Sequence, residues 1–136
     1  MPIDRQRYLG LANFRYALRR FLFASERLSS ESGITTQQYQ AMLAIGAAVE
    51  PLAMKDLAED LMLQPHAAVQ MVDRLQKLDL AERRASPLDG RVVLVALTDK
   101  GANLLDGLAA RHLEEVLKQE PKLTEALRRL KRTKGI

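Results

Sequence analysis

Gln64–Leu97 reads QPHAAVQMVDRLQKLDLAERRASPLDGRVVLVAL, and this stretch decides the fold. Gln64 precedes Pro65, and proline is favoured at the first position of a helix because its missing N–H has no helical partner there. Ala68, Met71, Val72, Leu75 and Leu78 then recur at three- and four-residue steps, which puts them on one inward stripe. Gln64, His66, Ala67, Gln70, Asp73, Arg74 and Lys77 are left to face outward. Ala81–Ser86 and Arg91–Leu97 read as two strands, the second rich in valine and leucine. Between them Asp89-Gly90 is a hairpin signal, since both central positions of a type I′ turn need positive φ.

Upstream, Thr35 with Gln38 forms a capping box, and Ile34 and Tyr39 stand at staple positions around it. Met42 and Leu43 continue the buried face of that helix, and Pro51 bars its continuation. A third helix is expected over about Lys55–Leu61, with Met54 at a poorly capped start. The turn Met62-Leu63-Gln64 then leads into the Pro65 helix. Helix, helix, turn, helix, hairpin is the order from Thr35 to Leu97. It predicts a mainly α fold with a small β-hairpin wing, a winged helix-turn-helix flanked by N- and C-terminal helices.

The first flanking helix spans about Arg5–Leu28, with Leu11, Phe14, Leu18, Phe21, Leu22 and Leu28 on one stripe. Ser29, Ser30, Ser32 and Gly33 break it. Thr98 caps a fifth helix to about Glu120, Pro121 interrupts it, and a sixth amphipathic helix ends in the basic segment Arg128–Lys134. These terminal helices carry more apolar surface than the central unit covers. The economical solution is a second copy about a two-fold axis. His112, near the apolar stripe of the fifth helix, reads as an interface or core histidine.

The 136 residues fit one domain, with 47% apolar content and a net charge of +4. There are no cysteines, so disulfides and thiolate metal sites are excluded, and the two histidines sit in no ligand-spacing motif. No cofactor or metal is indicated. No apolar run is long enough to span a bilayer and no signal region follows the N-terminus, so a cytoplasmic protein without membrane contact is expected. No nucleophile–base pair, phosphate-cradling glycine loop or paired acids point to an enzyme.

The basic excess suits a polyanion. Gln70 matches the bidentate pattern of adenine, Arg74 reaches guanine or phosphate, and Ala67 suits a thymine methyl. Lys77 and His66 share that face, for which ordinary solvation is the bland reading. Arg83, Arg84 and Arg91 cluster at the hairpin, which suits a minor groove, and Asp89 is placed to hold an arginine by a charge-assisted bond. Against this stands an ordinary surface hairpin. A ligand pocket of Arg15, Tyr16 and Tyr39 is a further expectation, in competition with the staple role of Tyr39. The alternative function is a winged-helix protein-interaction module without DNA binding, for which Gly90 and the sparse charge of the fourth helix speak.

Leu75–Arg84, Ser86–Gly101 and Leu57-Ala58 resemble the MarR family of winged-helix regulators. The shared pattern is a leucine-ended reading helix, an arginine strand, an Asp-x-Arg wing tip and Leu-Thr-x-x-Gly before the long helix. The resemblance implies a single MarR-like domain over 1–136, with a DNA-binding region at 34–98 and helical dimerisation regions at 5–30 and 99–132. It implies a homodimeric, DNA-binding transcription regulator on a palindromic duplex site, most often a repressor. Arg91 then enters the minor groove beside Asp89, and Gln64, His66, Ala67, Gln70 and Arg74 map onto the reading helix. It also implies release by a small aromatic or phenolic effector. The chain departs from the family in three places. Asp79 stands at a frequent glycine, Gly90 at a frequent arginine and Met54 at a usual cap. The missing cysteines exclude peroxide sensing.

Overall fold

The computed structural model describes residues 4–133. Lys134, the end of the expected basic segment, lies outside them. Five helices and three strands follow in the order α1 Arg5–Glu31, α2 Thr36–Ala47, β1 Leu52–Ala53, α3 Met54–Asp60, α4 Pro65–Lys77, β2 Ala81–Ala85, β3 Val93–Leu97 and α5 Asp99–Thr133. The fold is mainly helical with a small wing, as the sequence predicts. It forms two compact units, one of residues 29–109 and the other of residues 1–28 with 110–136.

In the 29–109 unit, α2, α3 and α4 surround Met42, Leu57, Val72 and Leu75, all fully buried together with Val95 of β3. Burying each such side chain is worth about 1.5–3 kcal/mol. The sheet is antiparallel in the order β1-β3-β2, with Arg83 opposite Val95 and Ala85 opposite Val93. β1 is an addition to the predicted hairpin, pairing Leu52 with Val95 and Ala53 with Leu94. Two residues after Pro51 carry no periodicity, so this strand exists only through its partner.

The helix ends are built locally. Thr35 Oγ1 accepts from Gln38 N–H while Gln38 Oε1 accepts from Thr35 N–H, each at 3.0 Å, and Ile34 and Tyr39 are buried at the staple positions. α3 begins at Met54 with Ala53 as its N-cap and no side-chain cap, so Met54 is the first helical residue and not the cap. Three helices end on a left-handed residue: Gly33 (φ 81°), Met62 (φ 53°) and Asp79 (φ 59°). After α4, Leu80 N–H donates to Leu75 C=O and Asp79 N–H to Gln76 C=O, the paired bonds of a Schellman motif.

That motif docks on the start of α5. Thr98 Oγ1 donates to Asp79 C=O at 2.7 Å and accepts from Gly101 N–H at 3.0 Å. Thr98 N–H donates to Leu80 C=O, and Lys100 Nζ to Leu78 C=O at 3.1 Å. The approach requires glycine at 101, because a Cβ there would lie 2.0 Å from the Leu80 carbonyl oxygen.

In the other unit, the α1 and α5 segments meet along small residues. Gly10, Ala17 and Ala24 on α1, and His112, Gln119 and Ala126 on α5, are buried at seven-residue spacing. A Cβ on Gly10 would lie 2.7 Å from Leu130 Cδ2, and Arg7 Nε donates to Thr133 C=O at 2.8 Å. His112 is a core histidine, its Nε2 hydrogen-bonded to buried Ser25 Oγ at 2.8 Å. Of the expected apolar stripe of α1, Phe14, Leu18, Phe21 and Leu28 are half-buried on the flank of this seam, and Leu11 and Leu22 are exposed.

α5 runs through Pro121 without a break, so the predicted fifth and sixth helices are one. Proline removes one N–H and crowds the preceding turn at a cost of about 3 kcal/mol. Seam positions Gln119 and Ala126, on either side of it, hold the helix together.

Two stability outcomes follow. Asp79→Gly, which removes a Cβ from a left-handed position, is expected to stabilise the chain by roughly 0.5–1 kcal/mol in urea unfolding. Gly101→Ala, which drives a methyl into a backbone carbonyl, is expected to lose more than about 3 kcal/mol in the same measurement.

Candidate nucleic-acid interface

α4 buries Ala68, Met71, Val72 and Leu75 and turns its other side to solvent. At 100° per residue, His66, Gln70, Lys77 and Arg74 form one outward stripe, with Gln64 just before it; all five are exposed and Ala67 is half-buried. Pro65 occupies the first helical position, and Gln64 is the N-cap without a side-chain cap bond. Pro65 has no N–H, and Ala67 N–H and Ala68 N–H donate to Gln64 C=O at 3.0 and 3.1 Å, which leaves His66 N–H at the positive end of the helix dipole. Arg74 and Lys77 form no ion pair among the described residues.

The wing tip is a wider loop than the expected type I′ turn. No residue in it has positive φ. Side chains hold it instead. Ser86 Oγ accepts from Leu88 N–H at 3.2 Å and Asp89 N–H at 3.4 Å, and Val92 N–H closes back on Asp89 C=O. Asp89 Oδ1 accepts from Arg91 N–H at 3.0 Å and from Arg91 Nε at 3.2 Å, while Oδ2 takes Arg91 Nη2 at 3.4 Å. These bonds hold the Asp89 carboxyl below its ordinary pKa, the backbone bond contributing most. A depressed carboxylate pKa means that the pairing is fully present above the ordinary carboxylate range and is lost as pH falls through the lowered value. Arg91 remains almost wholly exposed, at 93%, so the carboxylate orients the guanidinium without covering it.

The other two wing arginines are occupied differently. Arg84 pairs with Glu82 on its own strand at 2.6 Å. Arg83 turns onto α4, where it pairs with Asp73 at 2.6 Å and donates to Val69 C=O at 3.3 Å and to Gln76 Oε1. The wing is thereby braced on the helix before it. Spacing alone groups Arg83 with Arg84 and Arg91; the pairing with Asp73 and Gln76 depends on how β2 lies against α4.

Of the residues read as a ligand pocket, Arg15 and Tyr16 lie exposed on α1 about 100° apart. Tyr39 is buried in the staple of α2, and that burial pushes its phenol pKa up. Among the described residues there is no group of histidines and acids fit to hold a metal ion, and no helix is long and apolar enough to cross a membrane.

The MarR family model matches residues 32–92. Over 63 residues the chain is 30% identical to the HTH-type transcriptional regulator MhqR of Bacillus subtilis, covering 46% of this chain and 43% of MhqR. The chain spans about half the length of the curated relatives it matches. Its structure is similar to AbsC, a MarR family transcriptional regulator from Streptomyces coelicolor, with a TM-score of 0.79 and 18% identity over 88% of this chain and 81% of AbsC. It is also similar to CouR from Rhodococcus jostii RHA1 bound to p-coumaroyl-CoA, with a TM-score of 0.66 and 26% identity over 71% of this chain and 68% of CouR. The MarR family model thus covers the helices and wing of the 32–92 segment, and the fold of the chain is that of AbsC.

Proposed function

We propose that this chain is a sequence-specific DNA-binding transcription regulator, a repressor that acts in the cytoplasm as a homodimer on a palindromic duplex site. The observation that carries the reading is the outward stripe of α4 beside a wing tip whose Arg91 is oriented by Asp89 and left open. Gln64, His66, Ala67, Gln70 and Arg74 face base edges in the major groove, with Lys77 on phosphate. Arg91 enters the minor groove, Arg84 reaches the flanking backbone, and Arg83 serves through its hold on α4.

The dimer reading rests on the flanks of the 1–28 and 110–136 unit. Leu11 and Leu22 on α1 and Val116, Leu117 and Leu127 on α5 are exposed, a set that a second copy would cover. Residues 34–98 then form the DNA-binding region, and 5–30 with 99–132 the dimerisation region. Release by a small aromatic or phenolic effector is part of the proposal, and the ligand bound to CouR supports it. Such a ligand acts only through different affinity for the DNA-competent and incompetent arrangements.

One observation favours the second reading, a protein-interaction module. Residues 29–109 carry 7 Lys and Arg against 11 Asp and Glu, a net −4. The two readings part on salt. As a DNA reader, the dimer is expected to lose affinity for its operator with a log–log slope of about −0.9 per neutralised phosphate, and Arg91→Ala is expected to weaken binding about ten-fold or more. Arg74→Ala is expected to weaken binding and relax preference at one position of each half-site, by about 1–3 kcal/mol. Fluorescence anisotropy on a selected duplex measures all three. No binding to any duplex at low salt would support the interaction module instead.

The brace has its own signature. Taking Asp73 to Asn removes a negative charge beside the duplex, which by charge alone strengthens binding. If Arg83 works by positioning α4, Asp73→Asn weakens binding instead, and Arg83→Ala lowers affinity without changing the salt slope. Tighter binding by Asp73→Asn would reassign Arg83 to direct phosphate contact.

A further inference from the structure

The charge of this chain is divided unevenly. Residues 1–28 and 110–136 carry 14 Lys and Arg against 6 Asp and Glu, a net +8, and the −4 of residues 29–109 brings the total to the +4 of the whole chain. The basicity of the sequence therefore belongs to the helical unit and not to the unit that carries the α4 stripe and the wing.

Within that unit six of the cations line hollows on one side of the α1–α5 seam. A groove of about 590 Å³ runs between the two helices, lined by Tyr16, Arg19, Arg20, Phe23 and Arg27 from α1 and by Lys118 from α5. It continues into a second hollow of about 500 Å³, where Lys122 and Arg129 join Tyr16 and Arg20. Arg19, Arg27 and Lys118 form no ion pair among the described residues. Arg20 lies over the Tyr16 ring at 5.9 Å and reaches its hydroxyl at 3.5 Å. The acids in these hollows are Glu115 and Glu125. Glu115 accepts from Gln119 Nε2 at 3.1 Å, and Glu125 is held by Arg129 and Arg132.

One feature points to a ligand beyond plain charge. Tyr16 and Phe23 stay 55% and 71% exposed among cations, seven residues apart, and offer two rings on one helix face. The apolar flank given to the dimer is elsewhere. Leu11 and Leu22 lie about 100–140° around α1 from Tyr16 and Phe23, so pairing through one flank leaves the other open.

We propose that this groove is an anion-binding site for a ligand that joins a planar ring to two or more phosphate or carboxylate groups. The ring stacks on Tyr16 or Phe23, where aromatic contact and the nearby Arg20 both favour it. The anionic groups take Arg19, Arg27 and Lys118, whose guanidinium and ammonium donors are uncommitted. The volume is that of ordinary small-molecule sites, about 300–1,000 Å³. The proposal does not depend on α4 touching DNA, and its test contains no DNA.

The full chain is titrated by calorimetry with ATP, coenzyme A and benzene-1,3,5-tricarboxylate as ring-bearing polyanions, and with inorganic triphosphate and adenosine as their halves. At least one ring-bearing polyanion is expected to bind about ten-fold more tightly than triphosphate or adenosine. Arg27→Gln and Lys118→Gln are each expected to weaken it about five-fold or more, and Tyr16→Ala with Phe23→Ala to bring it down to the level of triphosphate. Arg128→Gln, which removes a positive charge of α5 that lines neither hollow, is expected to leave it unchanged. These are surface substitutions, and circular dichroism verifies that each variant is folded. Absence of binding by all three polyanions at about 5 mM overturns the proposal. So does binding no tighter than triphosphate, or an equal loss in Arg128→Gln.

Discussion

The carbonyl groups of Leu78, Asp79 and Leu80 all point at the first turn of α5, and the other features of the 29–109 unit depend on that meeting. A helix end leaves its last carbonyls without partners, and burying them unpaired is costly. Here Thr98, Lys100 and the Schellman bonds satisfy them together. The same contact fixes where α4 stops, where β2 begins and where α5 starts. It works only because residue 101 has no side chain and residue 79 accepts positive φ. Aspartate does the second job with some strain.

From this junction the proposed function becomes a matter of orientation more than of charge. The unit that holds α4 and the wing is acidic overall, and three of its wing-side acids are spent on arginines. Each pair has a different geometric result. Asp73 turns Arg83 inward and braces the wing on α4. Glu82 keeps Arg84 along its own strand. Asp89 steadies the Arg91 guanidinium while leaving it open. Exposed pairs of this kind add little to stability. Their effect is on where the donors point, which matters for groove contacts made within hydrogen-bond distance.

Much of the fold is legible in the sequence because it is written in local chemistry. Thr35 and Gln38, Pro65 and Thr98 mark helix starts by hydrogen-bonding logic that spans three or four residues. The α4 stripe follows from periodicity. Other features depend on distant partners and escape that logic. β1 is a strand only because Val95 and Leu94 lie opposite it. The Asp89-Gly90 dipeptide suggests a tight turn, yet Ser86 and Asp89 side chains stabilise a wider one. Pro121 signals a break that the seam overrides. The seam is written in Gly10, Ala17 and Ala24, which repeat every seven residues, while the leucines and phenylalanines of the same helix trace a neighbouring stripe. At the candidate interface, the outward set on α4 and the Asp89–Arg91 pair follow from spacing. The inward turn of Arg83 does not, because nothing local links it to Asp73.

The central claim is that two copies of α4 read consecutive major-groove faces of one duplex while Arg91 grips the groove beside them. Selection of bound duplexes from a random pool with the purified chain tests it most directly. The account predicts enrichment of an inverted repeat whose half-site centres lie about one helical turn apart, or a small multiple of it. A pool that stays random through successive rounds, or that yields a single unpaired half-site, would contradict it.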